Sequence, residues 1–416
     1  MKRGYSQRRF GLIGEHLGHS FSKPIHNRLG DYSFAMREVE KHLLGDFMQS
    51  NELEAFCVTI PYKKDVIPYL NSISPEAQKI GAVNVVVRGK DDKMYGYNTD
   101  YFGFEYMMDS AGIDPQGKSA IVLGRGGASM TVCAVLRGKG ASRVTVLGSA
   151  DNTPENISKL SDTEIVVNAT PVGMYPNNGI SPIDLSQLPS CEAVLDLIYN
   201  PARTALLLQA EQRGIKCADG LSMLVAQAAR AFELFTGDPY EEGCIEKIIS
   251  EIRRNSENVI LVGMPGSGKS TVGELLANAL NRPFFDADSV FTERYGITPA
   301  NAINTLGEEK FRDMEHDVLC VLGKANRTVI STGGGAVTRA NNYDPLHQNG
   351  LIVFIERPLD KLSTEGRPLS LSRPVQQLYS ERIDYYLRFA DVRIDNDGTP
   401  KATVEKIISA IEKRYS

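Results

Sequence analysis

Short runs of apolar, often β-branched residues recur along the chain at 10–14, 55–60, 82–88, 119–123, 259–262 and 328–331. Runs of this length bounded by turn residues predict strands, and helical spacing between several of them predicts an α/β protein. Two segments share one grammar. The run 119–123 meets Gly124 and the run 259–262 meets Gly263, and each then passes into a helical pattern, the second over 271–280. Each predicts the first βα unit of a nucleotide-binding sheet. The roughly 100 residues upstream of the first unit hold enough strands for an α/β lobe of their own. Between the two units, 245–257 (IEKIISEIRRNSE) is charged and helix-like with no strand pattern, the expected linker, with the main boundary near 255. No repeat or low-complexity tract is visible.

Length fits this plan, since 416 residues exceed one ordinary core and suit two or three. With 42% apolar residues, 23% charged and a net charge of -5, the chain has the composition of a soluble globular protein. It lacks the basic excess that a nucleic-acid partner would call for. Cys57, Cys133, Cys191, Cys217, Cys244 and Cys320 form no C-x-x-C pair, so reduced thiols are expected rather than disulfides or structural zinc. The basic N-terminus leads into no apolar segment and no long apolar run occurs, so a cytoplasmic protein without a membrane partner is expected.

The strongest motif is Gly263-Met-Pro-Gly266-Ser267-Gly268-Lys269-Ser270, followed by Thr271, which matches G-x-x-x-x-G-K-[ST] between a strand and a helix. Its glycines let backbone N–H groups turn inward around a polyphosphate; Lys269 brings charge to the terminal phosphates and Ser270 a ligand for Mg2+. A P-loop does not name the phosphoryl acceptor.

From 259 to 416 four further motifs stand in the order of the shikimate kinase family, which this segment resembles. They are Asp286-Ala-Asp288, Glu308-Glu-Lys-Phe311-Arg312-Asp-Met-Glu315, Gly333-Gly334-Gly335, and Arg367-Pro-Leu369 followed by Arg382 in Glu381-Arg-x-x-x-Tyr386. The resemblance implies Asp286 near the metal and Asp288 on the shikimate hydroxyls, helping to deprotonate the attacking one. It implies Arg312 and Arg382 on the carboxylate, the triple glycine against substrate or phosphate, and Arg367 on the transferring phosphate. Planar bidentate arginine suits a carboxylate, and cationic clamping suits phosphoryl transfer. The stretch 359–366 before Arg367 is short and carries no counterpart of the family's adenine-stacking arginine.

In the first half, Gly124-Arg125-Gly126-Gly127-Ala128-Ser129 opens as a dinucleotide turn with serine in place of the third glycine. With it stand Gly18-His-Ser20-Phe-Ser22-Lys23-Pro24-x-His26-Asn27, Val58-Thr59-Ile-Pro61-Tyr-Lys63, Gly81-Ala-Val-Asn84, Asn98-Thr99-Asp100-x-x-Gly103, Asn168-Ala-Thr170, Asp196-x-x-Tyr199 and Gly220-x-x-Met223-x-x-x-Gln227. Together, over 10–237, they resemble shikimate dehydrogenase. The resemblance implies Ser20 and Ser22 on the substrate carboxylate, and Thr59 in the substrate site. It implies Lys63 as proton donor oriented with Asp100, and Asn84 and Gln227 on the substrate. It places Tyr199, Gly220 and Met223 near the nicotinamide. Where the family usually has Asn-Arg-Thr for the 2′-phosphate, this chain reads Leu147-Gly148-Ser149-Ala-Asp151. Asp151 suits a ribose 2′-hydroxyl and hence NAD, whereas Arg125 or Lys159 would serve a phosphate; NADP is the expectation on family frequency, NAD the alternative.

The expected plan is a substrate lobe at 1–101 completed by helices at 219–245, a Rossmann NAD(P) lobe at 102–218, a linker at 246–257 and a P-loop kinase domain with a parallel sheet at 258–416. The expected cofactors are NADP, ATP and Mg2+, and the partners small molecules. The expected activities are reduction of 3-dehydroshikimate and phosphorylation of shikimate. The rivals are a kinase carrying a non-catalytic dehydrogenase-like module, an NAD-dependent quinate/shikimate dehydrogenase, or a small P-loop kinase for another acceptor. Oligomeric state is not legible.

Overall fold

The structure, a computed structural model, describes residues 4–18, 21–362 and 374–415. Ser20 and Arg367, named above, lie outside the described residues. By packing, the chain divides into two compact units, one of residues 1–172, 181–199 and 209–249, the other of 173–180, 200–208 and 250–416.

The first unit holds two sheets. Strands β1 (Gly4–Gly14), β2 (Asp31–Glu38), β3 (Ala55–Val58), β4 (Ser72–Ile73), β5 (Val85–Arg88) and β6 (Met94–Tyr97) form a mixed sheet in the order β2-β1-β3-β5-β6-β4. Alternate residues go to opposite faces, and both faces are buried. Phe56, Val58 and Val86 enter one core, while Ala55, Cys57 and Val85 enter the other. The second core is completed by helix Leu221–Thr236, which returns to this sheet and places Phe235 on Phe10 with ring centroids 4.8 Å apart. Burial of each such side chain contributes roughly 1.5–3 kcal/mol.

Strands β7 (Ser119–Leu123), β8 (Arg143–Leu147), β9 (Ile165–Asn168), β10 (Ala193–Asp196) and β11 (Lys216–Asp219) form an all-parallel sheet in the order β11-β10-β9-β7-β8. All five residues of β7 are buried, as expected of a strand covered on both faces. Strand order reverses at β7, so the crevice outside its carboxyl end, where Gly124 begins the glycine turn, is the topological place for a dinucleotide.

In the second unit β12 (Asn258–Val262), β13 (Phe284–Asp286), β14 (Val329–Ser331), β15 (Gly350–Glu356) and β16 (Val392–Asp395) form another parallel sheet, ordered β13-β14-β12-β15-β16. Its two faces are again buried alternately, Ile260, Ile352 and Phe354 on one and Val259, Leu351 and Val353 on the other. The order reverses at β12, which runs directly into the P-loop.

The boundary between units falls inside helix Cys244–Ser256, where the sequence suggested a linker. Segments 173–180 and 200–208, assigned from sequence to the span 102–218, pack with the second unit: Arg203 N–H donates to Gln348 O at 2.9 Å and Ala202 N–H to Asn349 Oδ1 at 2.9 Å.

Candidate active sites

In the mixed sheet, β3 ends where its antiparallel neighbour β5 begins, and β6, antiparallel to β5, ends beside them. That topology gathers Lys63 from beyond β3, Asn84 from before β5 and Asp100 from beyond β6 at one sheet edge. Lys63 Nζ lies 2.6 Å from Asp100 Oδ2. Asn84 Nδ2 is 2.9 Å from Asp100 Oδ1, 3.1 Å from Thr99 Oγ1 and 3.4 Å from Gln227 Oε1. Asn84 is buried and its own oxygen accepts from Thr99 N–H at 2.7 Å, so it is a fixed strut for the Asp100 carboxylate. Gln227 arrives because helices Asp100–Ser110 and Leu221–Thr236 pack closely at Gly103. A Cβ there would stand 2.6 Å from Met223 O and 3.0 Å from Gln227 Cβ.

Thr59 closes β3, its N–H bonding Ile13 O at 2.9 Å. Ser22 opens helix Ser22–Leu29 and is half-buried. His26 of the same motif is a core residue: its Nδ1 is 2.7 Å from the Tyr32 hydroxyl, its ring stacks on Phe34, and burial pushes its pKa down to about 3. It stays neutral and takes no part in proton transfer at ordinary pH.

At the glycine turn, Gly124 has φ +106° and a Cβ there would meet Ala169 O at 2.9 Å, so only glycine fits. Gly126 and Gly127, the N-cap and first residue of helix Gly127–Gly138, open onto empty space. Bare backbone at a helix N-terminus, with Ala128 in the first turn, fits a pyrophosphate. Ser129 is buried, the small residue a close helix–strand approach tolerates. Arg125 forms an ion pair with Asp151, whose Oδ2 also accepts from Gly148 N–H at 3.2 Å. The two residues weighed separately for the 2′ position are therefore bound to one another. Tyr199 meets Phe21 edge-on at 5.4 Å, linking the two sheets' loops. Gly220 packs so closely on Leu197 that a Cβ would lie 2.0 Å from its carbonyl oxygen, and Met223 follows one turn on.

In the second unit a cavity of about 860 Å³ is lined by Gly266, Gly268, Lys269, Ser270, Thr271, Asp286, Asp288, Arg312, Glu315, Gly333, Gly334, Gly335, Arg357 and Arg382. Gly263 and Gly268 have φ +152° and +90°, the conformations the P-loop turn requires. Lys269 Nζ rests on the loop's own carbonyls, 2.9 Å from Gly263 O and 3.0 Å from Met264 O. The Ser267 side chain is buried inside the loop. Asp286 caps helix Ala287–Tyr295 with Oδ1 and holds Ser270 Oγ with Oδ2 at 2.7 Å, setting two hard oxygen ligands side by side.

Asp288 faces the open cavity, yet the surrounding protein desolvates its carboxyl. That burial, with Asp286 and Glu315 adding, pushes its pKa up to about 6 against the pull of Lys269 and Arg312. Arg312 is buried and paired with Glu315 at 2.6 Å and Glu308 at 3.3 Å. Arg382 Nη1 donates to Gly334 O at 3.3 Å, and the Tyr386 hydroxyl bonds the same oxygen. The triple glycine is wedged in place: a Cβ on Gly333 would meet Glu315 at 2.5 Å, on Gly334 Pro265 at 2.6 Å, and on Gly335 Arg312 at 2.0 Å.

Thr99, Glu315, Tyr386 and Arg357 were not assigned roles from sequence. Glu315 and Tyr386 follow Arg312 and Arg382 by three and four residues, the spacing of neighbours on a helix face, which could have drawn attention to them. Among the described residues no cluster of three or more His, Cys, Asp or Glu side chains suits a metal, and no helix is long and apolar enough to cross a membrane.

Fold and sites together define a two-enzyme chain, an α/β oxidoreductase with a dinucleotide turn followed by a P-loop phosphotransferase. Residues 12–86 match the shikimate dehydrogenase substrate binding domain, 220–247 the shikimate 5'-dehydrogenase C-terminal domain, and 265–412 shikimate kinase. The shikimate dehydrogenase (NADP(+)) of Clostridium perfringens (strain SM101 / Type A) is 37% identical over 267 residues, which cover 59% of this chain and 98% of that protein. A chorismate mutase/shikimate 5-dehydrogenase fusion protein from Clostridium acetobutylicum superposes with TM-score 0.54 at 33% identity, covering 59% of this chain and 97% of that one. Shikimate 5-dehydrogenase from Thermus thermophilus, in complex with NADP(H) and shikimate, gives 0.53 at 30% identity, covering 59% and 99%. The chain belongs to the shikimate dehydrogenase family over its first part and carries a shikimate kinase domain after it.

Proposed function

We propose that the first unit reduces 3-dehydroshikimate to shikimate with NADP(H), and that the second transfers the γ-phosphoryl group of ATP to the 3-hydroxyl of shikimate. The observation that carries the pairing is that one chain holds both a lysine–carboxylate site beside a dinucleotide turn and a P-loop cavity containing two arginines suited to a carboxylate.

Reducing a ring ketone takes a hydride, which the nicotinamide cofactor supplies when bound. The chain's part is the proton and the geometry. Lys63, held at 2.6 Å by Asp100, donates the proton to the carbonyl oxygen; Asn84 fixes Asp100, and Asn84 and Gln227 hold the ring hydroxyls. Gly124, Gly126 and Gly127 leave room for the pyrophosphate.

In the kinase cavity Lys269 exchanges its loop carbonyls for the terminal phosphates. Arg312 and Arg382 hold the shikimate carboxylate, and the pKa of about 6 suits Asp288 to accept the proton of the attacking hydroxyl near neutrality. Mg2+ supplies charge neutralisation on the phosphates, and Ser270 and Asp286 are the residues that would hold it.

A coupled assay of the whole chain with 3-dehydroshikimate, comparing NADPH with NADH, each with and without ATP and Mg2+, tests the reading. Expected is cofactor oxidation without ATP, and shikimate 3-phosphate only when ATP is added. Phosphorylation of supplied shikimate without any reduction would leave a kinase carrying a silent dehydrogenase-like module.

A further inference from the structure

Arg357 is the first residue after β15, the strand beside β12. It therefore leaves the sheet at the edge where β12 enters the P-loop. The approach is close, since a Cβ on Gly263 would lie 2.4 Å from Ile355 O. The arginine lines the same cavity as Lys269 and Ser270. Its Nη1 stands 3.7 Å from where a Cβ on Gly268 would sit, so the guanidinium lies against the last glycine of the loop, at the N-terminus of helix Lys269–Leu280.

The side chain is not neutralised by its neighbour. The Glu356 carboxylate is engaged by the Tyr379 hydroxyl on one oxygen and by Arg393 on the other. Arg357 Nε is buried with no hydrogen-bond partner, and the residue lines a cavity that already contains Lys269 and a helix N-terminus. Two cations and a positive helix end converging on one space are arranged for a polyanion. Asn396 Nδ2, 2.8 Å from the same Cβ position, bonds Ser267 O at 2.7 Å and is itself held through Oδ1 by Thr403 at 2.7 Å, so the loop backbone next to Gly268 is fixed. From 358 to 366 the sequence supplies no arginine for the nucleotide, and Lys361 turns to Asp397 O at 3.3 Å.

We propose that Arg357 is a phosphate-binding residue of the kinase site, gripping the phosphate chain of the nucleoside triphosphate beside Gly268 while Lys269 serves its terminal end. The proposal rests on the kinase reading of this cavity and adds to it a contact in a place where no motif predicts one.

Full-length Arg357→Met and Arg357→Lys test it. The expected result for Arg357→Met is a KM for ATP raised about tenfold or more, the size of a lost charge-assisted contact. The KM for shikimate and the dehydrogenase activity stay as in the wild type, which shows that the chain is folded; Arg357→Lys recovers part of the loss. Equilibrium binding of ADP and of adenosine separates phosphate from base: ADP affinity falls in Arg357→Met and adenosine affinity does not. Equal loss for both ligands, or an ADP affinity within twofold of wild type, overturns the assignment. Failure of the wild type to phosphorylate shikimate would sink the kinase reading alone, because the ADP comparison needs no acceptor.

Discussion

Gly335→Ala is the sharpest perturbation of the proposed carboxylate clamp. Gly335 has φ -104° and ψ 1°, a backbone alanine adopts freely, so the added methyl acts through space alone. Its Cβ would lie 2.0 Å from Arg312 Nη2 and 2.5 Å from Cζ, whereas ordinary contact begins near 3.4 Å. The guanidinium must retreat by more than 1 Å or so, while Glu315 still holds its Nη1 at 2.6 Å. A misplacement of that size costs a two-point carboxylate contact roughly 1.5–3 kcal/mol, about ten- to a hundredfold in the KM for shikimate. The KM for ATP, ADP binding and dehydrogenase activity should hold. Gly334→Ala gives the contrast, because its Cβ would strike Pro265 of the P-loop at 2.6 Å and should fall on the KM for ATP. Steady-state kinetics of both variants with each substrate varied makes the comparison. If Gly335→Ala keeps the wild-type KM for shikimate, or both variants shift the same constant equally, Arg312 is not where the carboxylate binds.

With an Asp288 pKa of about 6, kcat/KM for shikimate should fall as the pH drops through 6; a limb centred near 4 would count against Asp288 as the proton acceptor. The same shift has a stability side: a carboxyl whose folded pKa lies above its unfolded 3.8 adds stability fully present below 3.8 and lost as pH rises through about 6. Because Asp288 faces the open cavity, screening reduces this to on the order of 1 kcal/mol. Asp288→Asn should accordingly melt higher than wild type at pH 8 in the ligand-free transition that ADP raises, with the gap closing below pH 4. Asp151→Asn frees Arg125 from its ion pair, so the ratio of KM for NADPH to KM for NADH should drop several-fold; an unchanged ratio would show that the pair does not read the 2′ position.

What the sequence disclosed followed the chemistry that must be local. The P-loop was legible because eight consecutive residues perform one job, and β7 and β12 because four consecutive apolar residues before a glycine turn have few other uses. The family resemblance also named Lys63, Asn84, Asp100 and Gln227, although 143 positions separate Asn84 from Gln227 and nothing local requires that they meet. That meeting depends on antiparallel strands ending at one edge and on Gly103 admitting a second helix.

Side chains whose meaning lies in a distant neighbour stayed hidden. A lone arginine after a strand, as Arg357 is, carries no pattern; it becomes informative only when Gly268 is found beneath it and Glu356 is seen to be engaged elsewhere. Arg125 and Asp151 each suited one dinucleotide when read singly, and their pairing changes the question from which residue is present to whether a 2′-phosphate can displace a carboxylate from a guanidinium. His26, part of a motif that looks polar and functional, turned out to be neutral core, because Tyr32, Phe34 and Phe235 enclose it. In each case residue type set what chemistry was available, and the partner brought by the fold decided whether it would be used.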